Sequence, residues 1–315
     1  MLPVLLLHAV TRDRHDFDPF VAALTAARTG PVGSSRETSR RLETADALEP
    51  EHTLQTVRCL ETAGNGAGLD ISPAKPQRDS GREGGDRSFT LRPLDHLGHG
   101  DARRAARYRI TDFADGIAVP DAPFALYGHS LGGLVSLCLA ARHGEAVRAV
   151  VLEDPPLFDS KQPRLDTTHW ADGFRKLKRL MVGRGAQWGA REWEAAAAAW
   201  PSGHGNASIL EAGGREACAR RGGQIAKLDA QLLDGMVAPA LHDGFDVIEA
   251  IRASRCTITI IAGDREAGSA MTEDDLRLLA AEPNVVIVRA PGVGHYVREA
   301  EPALCAQSLL SAITD

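Results

Sequence analysis

The stretch Tyr127-Gly128-His129-Ser130-Leu131-Gly132-Gly133 constrains this chain more than any other part of it. The apolar run Phe124-Ala125-Leu126-Tyr127 leads into it, and a longer one, Leu134 to Ala141, leads away. By length, the first reads as a buried strand and the second as a helix. Small residues on either side of Ser130 allow a sharp, strained turn between the two, which lifts the hydroxyl clear of the backbone. The helix start also offers the Leu131 N–H to a developing negative charge. The plainer alternative is a glycine-rich turn that holds an inert serine.

A serine hydroxyl is a weak nucleophile unless a base lies within hydrogen-bond reach. His295, in Gly292-Val293-Gly294-His295-Tyr296, is the candidate base, on a glycine-bordered loop between an apolar run and the last helical pattern. Other histidines compete poorly. His8 and His129 belong to short motifs of their own, and His204 and His242 fall in the helical stretch expected to form a lid.

Short apolar runs alternate with helical patterns along the chain, which predicts a parallel sheet covered on both faces, doubly wound. The expected strands are Pro3–His8, Ser88–Pro93, Pro123–Gly128, Val147–Glu153, Thr257–Ala262 and Asn284–Arg289. The expected helices are Asp16–Ala27, Ile110–Ile117, Leu131–His143, Glu273–Ala281 and Arg298–Thr314. Two stretches break the alternation. Residues 28–87 are rich in Gly, Ser, Thr and Arg without a sustained period, and read as an irregular or disordered insertion, or as translated non-coding sequence. Residues 155–250 are helical in character, so the expected division is a core of 1–154 and 251–315 with 155–250 as a helical lid. Trp170, Phe174, Leu177 and Leu180 recur there at helical spacing, and Trp188, Trp193 and Trp200 follow around an alanine run. These aromatic residues either pack helices together or line a pocket.

Composition excludes several classes of function. The 315 residues are 43% hydrophobic and 25% charged, ample for a large core, and the net charge is −6 with basic residues scattered. That gives no electrostatic footprint for nucleic acid. The five cysteines are far apart, with no Cys-x-x-Cys pair, so neither a metal site nor a disulfide framework is expected. Met1 to His8 is apolar but lacks a basic flank and a small-residue cleavage site, and reads as a buried strand rather than a secretory leader. No apolar stretch is long enough to span a membrane. A cytoplasmic monomer or homodimer is expected, with no cofactor, no P-loop and no HExxH.

Taken together, these motifs resemble the α/β-hydrolase superfamily in its lid-bearing form. Leu5-Leu6-Leu7-His8-Ala9-Val10 is similar to the family's strand ending in His-Gly, and Asp95-His96-Leu97-Gly98-His99-Gly100 to its Asp-x-x-Gly-His-Gly turn. The nucleophile turn, Leu152-Glu153-Asp154-Pro155-Pro156 and Gly292-Val293-Gly294-His295 follow in the family's order. The resemblance implies an oxyanion hole built from the Val10 and Leu131 N–H groups. It also implies an antiparallel hairpin before the His8 strand, which is expected to be missing here. Ala9 stands where the family has glycine, so this loop must tolerate a Cβ.

The acid of the implied Ser–His–acid triad has three candidates. Glu266 has the usual offset after the Thr257–Ala262 strand, Asp264 comes two residues earlier, and Asp154 follows the Val147–Glu153 strand with its backbone held by Pro155-Pro156. Relatives that carry the acid after the earlier strand favour Asp154. The expected activity is hydrolysis of a small or medium-sized ester or lactone through an acyl-enzyme. A carbon–carbon bond hydrolase with the same triad, and a hormone-receptor-like binder that does not turn over, are the alternatives.

Overall fold

The computed structural model describes residues 1–29, 88–202 and 207–314. The apolar runs form six strands: β1 Leu2–Leu7, β2 Phe89–Leu94, β3 Phe124–His129, β4 Val147–Glu153, β5 Ile258–Gly263 and β6 Val285–Ala290. They lie in one sheet of order β2-β1-β3-β4-β5-β6 in which every neighbouring pair is parallel. Every residue of β3 and β5 is buried. A strand covered on both faces has no polar side to alternate with, which is why these segments read as unbroken apolar runs.

The period of two still decides which core each side chain enters. Leu5, Leu7, Leu126, Val150, Leu152 and Ile260 point to one core, and Val4, Leu6, Ala125, Tyr127, Val151 and Ile261 to the other. Each fully buried side chain of this size contributes about 2 kcal/mol relative to exposure. Eleven helices follow in chain order among the described residues: α1 Asp18–Thr29, α2 Ile110–Asp115, α3 Leu131–His143, α4 His169–Val182, α5 Ala190–Ala197, α6 Ile209–Lys227, α7 Ala230–Val237, α8 Val247–Ala253, α9 Glu273–Ala280, α10 Val297–Ala300 and α11 Pro302–Thr314. Helices α2, α3, α8 and α9 cover the first face, and α1, α10 and α11 the second.

The last helix, expected to be continuous over Arg298–Thr314, is divided at Glu301, which leaves helical geometry (φ −126°, ψ 63°). Pro302 is the cause, since its ring disfavours a helical backbone at the residue before it. The expected insertion falls almost wholly on residues 30–87, outside the described residues, and so does His204. The 155–250 stretch is helical as expected, with α5 packed on α6 and α4 on α7. Among the described residues no helix is long and apolar enough to cross a membrane.

The candidate active site

Because all six strands run the same way, the residues that follow them collect along one edge of the sheet. The β3 register pairs Gly128 with Leu152 of β4 and with Leu7 of β1, so His8, Ser130 and Asp154 leave the sheet at nearly the same level. Helix α3 then packs tightly against the strands. A Cβ on Gly132 would lie 2.0 Å from the Leu7 carbonyl oxygen, and one on Gly128 2.2 Å from the Gly132 oxygen. The Gly132 N–H donates to the His8 oxygen at 3.1 Å and the Ser130 N–H to the Glu153 oxygen at 3.0 Å. The turn is thereby tied to both neighbouring strands.

Three non-glycine residues among those described have positive φ: Thr11 at 64°, Ser130 at 55° and Asp154 at 40°. Such backbone costs about 1–3 kcal/mol per residue and persists only where the surroundings hold it. All three stand at this edge. Ala9, where the loop was expected to tolerate a Cβ, is not among them; the left-handed step falls on Thr11, whose N–H donates to His99 Nε2 at 3.2 Å.

Ser130 is 8% exposed and lines a cavity of about 820 Å³ together with Leu131, Val10 and His295. The Leu131 and Val10 N–H groups have no hydrogen-bond partner among the described residues. Leu134, Leu165, Trp170, Phe174, Met236 and Leu241 give the cavity an apolar wall. Ser130 Oγ and the His295 ring border the same space without a hydrogen bond between them, a contact that often tightens only when substrate is bound.

The structure separates the three candidate acids. Asp154 is fully buried and its Oδ2 lies 2.7 Å from His295 Nδ1. The same carboxylate accepts hydrogen bonds from the Ala270 N–H (2.8 Å), the Ser269 hydroxyl (2.5 Å) and, more weakly, the Gly263 N–H (3.4 Å). A carboxylate there accepts a hydrogen bond from Nδ1–H, holds the neutral imidazole in that tautomer and leaves Nε2 as the basic nitrogen. Asp264 instead accepts the Gly292 N–H at 2.5 Å, bracing the loop that carries His295. Glu266 is exposed at the cavity wall and has no bond to His295.

Several supporting residues had no clear signal in the sequence. Trp170 stacks on His295 with ring centroids 6.1 Å apart, and His129 donates from Nε2 to the His295 oxygen at 2.9 Å. Ser269 reaches Asp154 across 115 positions, a pairing no local pattern reveals. Arg298 is buried against Glu153, from Nη1 to Oε2 at 2.8 Å, and against Asp16, and so anchors the chain three residues past His295 to the end of β4. Breaking such a buried pair typically costs about 3–5 kcal/mol. The tryptophans divide: Trp170 lines the cavity, whereas Trp188, Trp193 and Trp200 form an edge-to-face cluster at 4.9 and 6.3 Å that packs α5. Both roles expected of these aromatic residues, lining a pocket and packing helices, are therefore present, on different tryptophans.

His8, His96 and His99 are all buried beneath the Val10 loop, and burial, first among the causes, pushes all three below the ordinary imidazole value of 6.5. For His99 the value falls to about 3, with the neighbouring His96 the next contribution. Between about 6.5 and about 3 the unfolded chain therefore binds protons that the folded chain refuses. The stability from burying these neutral rings is complete above about 6.5 and is lost as pH falls toward 3. Urea midpoints measured across that window should fall with pH, and His99→Gln should flatten the slope by up to about 1.4 kcal/mol per pH unit.

A sequence model of the alpha/beta hydrolase family matches residues 66–308. The chain belongs to that family. The chain is 52% identical over 66 residues to a pimeloyl-[acyl-carrier protein] methyl ester esterase of Neisseria meningitidis, a match covering 21% of this chain and 26% of that protein. It thus spans about a quarter of the length of the curated relatives it matches. Among solved structures, it is similar in fold to a carboxylesterase of the thaumarchaeon Nitrososphaera gargenis (TM-score 0.61, 15% identity, 99% of this chain and 90% of that one). It is also similar to an N-acyl homoserine lactone degrading enzyme (TM-score 0.52, 14% identity, 99% and 93%).

Proposed function

We propose that this hydrolase cleaves a small or medium-sized ester or lactone through an acyl-enzyme, with Ser130 as nucleophile, His295 as base and Asp154 as the acid. The observation that carries this reading is the 2.7 Å contact from His295 Nδ1 to Asp154, beside a cavity that Ser130 enters from its strained turn. In the reaction, His295 Nε2 takes the Ser130 proton as Oγ attacks the carbonyl carbon. The Leu131 and Val10 N–H groups receive the resulting oxyanion. The tetrahedral species collapses as the imidazolium gives its proton to the leaving alkoxide; an ester's alcohol departs, whereas a lactone's stays attached as the hydroxyl of the acyl group. Water, deprotonated by the same nitrogen, then attacks the acyl-enzyme, releasing the acid and restoring Ser130. Asp154 stays ionised throughout, holding the ring in one tautomer and stabilising its charged form.

The 155–250 helices, which supply Trp170, Phe174 and Met236 to the cavity, act in this reading as a lid that keeps the reacting carbonyl from bulk water. The family supports hydrolysis, and the methyl ester esterase and lactone-degrading similarities support carbonyl esters as substrates. A panel of p-nitrophenyl esters of increasing acyl length, with several lactones, tests this directly. Turnover of at least one class is expected, together with fluorophosphonate labelling at Ser130. Folded protein that turns over none of them and takes no label would overturn the enzyme reading in favour of a binder.

A further inference from the structure

Arg221, on α6, lines the cavity that holds Ser130 and His295. Its Nη1 donates to the Thr11 oxygen at 2.5 Å and its Nη2 to Thr11 Oγ1 at 2.8 Å. Those two bonds leave part of a five-donor guanidinium unspent. No carboxylate among the described residues lies within ion-pair distance of it. The nearby acids are committed elsewhere: Asp16 to Arg12 at 3.0 Å and to Arg298, and Glu299 to Arg12 at 3.7 Å. Arg12 also sits over the Tyr296 ring, 4.8 Å from its centroid. Burial, and then the charge of Arg12, lower the pKa of Arg221, the reverse of the upward shift that carboxylate neighbours give Arg12 and Arg298. Asp16 and Glu299 attract Arg221 without reaching it, and a half-buried cation with no carboxylate in direct contact favours an anion that completes it. Nearly all other charge in the cavity wall is distant in kind: Glu266 is exposed and the remaining titratable liners, His169, His295 and Tyr296, are aromatic.

We infer that Arg221 is an anion subsite, and that the preferred substrate carries, besides its ester or lactone carbonyl, an oxyanionic group that pairs with this guanidinium. The inference rests on the hydrolase reading above and names its substrate class. Arg221 grips Thr11, the residue after Val10, so the subsite borders the proposed oxyanion donors. An arginine here can bind a carboxylate or a phosphate through two parallel N–H bonds. The cavity thus offers an apolar wall for a chain and a charged end for its terminus.

The test compares kcat/KM for p-nitrophenyl half esters of dicarboxylic acids, from succinate to suberate, with neutral acyl esters of equal length. A parallel pair places the carboxylate on the alcohol side instead. Wild-type protein should favour the anionic member of at least one pair by roughly 10- to 100-fold, as expected for a charge-assisted pair in a shielded site. In Arg221→Gln that ratio should fall to near one, and Arg221→Lys should recover part of it. The ratio, rather than the rate, is read because loss of the Thr11 bonds can slow both members. A second readout is the rise in Tm with hexanoate or hexyl phosphate, which should vanish in Arg221→Gln; the stronger of the two identifies the source of the anion. Hydrolysis of neutral esters with no anionic preference in either pair would overturn the subsite and leave the hydrolase reading intact. Absence of any ester hydrolysis would strike the hydrolase reading itself. An equal loss on both members in Arg221→Gln would make Arg221 only a strut for Thr11.

Discussion

Ser130→Ala is expected to lower kcat for the best ester by up to about a million-fold while leaving the fold in place. Losing the nucleophile of a Ser–His–Asp set costs that order, because the remaining base has nothing to activate and only the oxyanion donors and binding remain. The structure adds a second readout at the same position. Ser130 holds φ of 55° and ψ of −116°, a conformation that charges about 1–3 kcal/mol to any residue with a Cβ. Ser130→Gly should therefore abolish turnover equally and yet raise Tm above that of Ser130→Ala. Opposite movements of activity and stability from one side chain would show that the turn is strained to present the hydroxyl. Residual activity above a few per cent in either variant would exclude Ser130 as nucleophile, and an unchanged Tm in Ser130→Gly would exclude the strain.

Asp154→Asn should reduce kcat by about ten-thousand-fold, the effect of leaving an imidazole in the wrong tautomer. Ser269 and Gly263 donate to Oδ1, whereas Ala270 and His295 share Oδ2, so an amide that keeps its oxygen toward Ser269 and Gly263 sets its NH₂ against His295 Nδ1 and the Ala270 N–H, where it can only donate. That drives the ring proton to Nε2, where a lone pair is needed. Glu266→Gln, at an exposed position without a bond to His295, should stay within a few-fold of wild type. Asp264→Asn loosens the Gly292 contact and should fall between the two. A large loss in Glu266→Gln with little change in Asp154→Asn would reverse the assignment.

Much of this arrangement is legible in the sequence, for a definite reason. Strands buried on both faces are written as unbroken apolar runs, and each of the six expected strands lies within one or two residues of its observed bounds. The nucleophile turn is equally local, since its glycines are required by contacts within a few residues and with the adjoining strand. Asp154 was harder to single out, because its role depends on a contact with His295, 141 positions away. Its partner Ser269 lies beyond local pattern for the same reason. The tryptophans illustrate a further limit: helical spacing identifies an apolar face but not what that face meets. Trp170 meets the cavity and Trp193 the interior of a helix pair. The division at Glu301 was readable from Pro302, and the amphipathic period concealed it.

The parallel strand order has a consequence for how the protein acquires its activity. Ser130, Asp154 and His295 follow β3, β4 and β6, and the strand β5 that separates the last two in space is supplied only after the whole 155–250 stretch has been made. Parallel pairing requires long loops to close before any contact is gained, so such a sheet folds slowly and its parts depend on one another. No fragment ending at β6 or earlier contains His295, the proposed base, and a chain with β5 misplaced sets His295 away from Asp154 even when every helix is formed. Hydrolysis would then report the final docking of the sheet's last strands, and recovery of activity during refolding should lag behind recovery of helical circular dichroism.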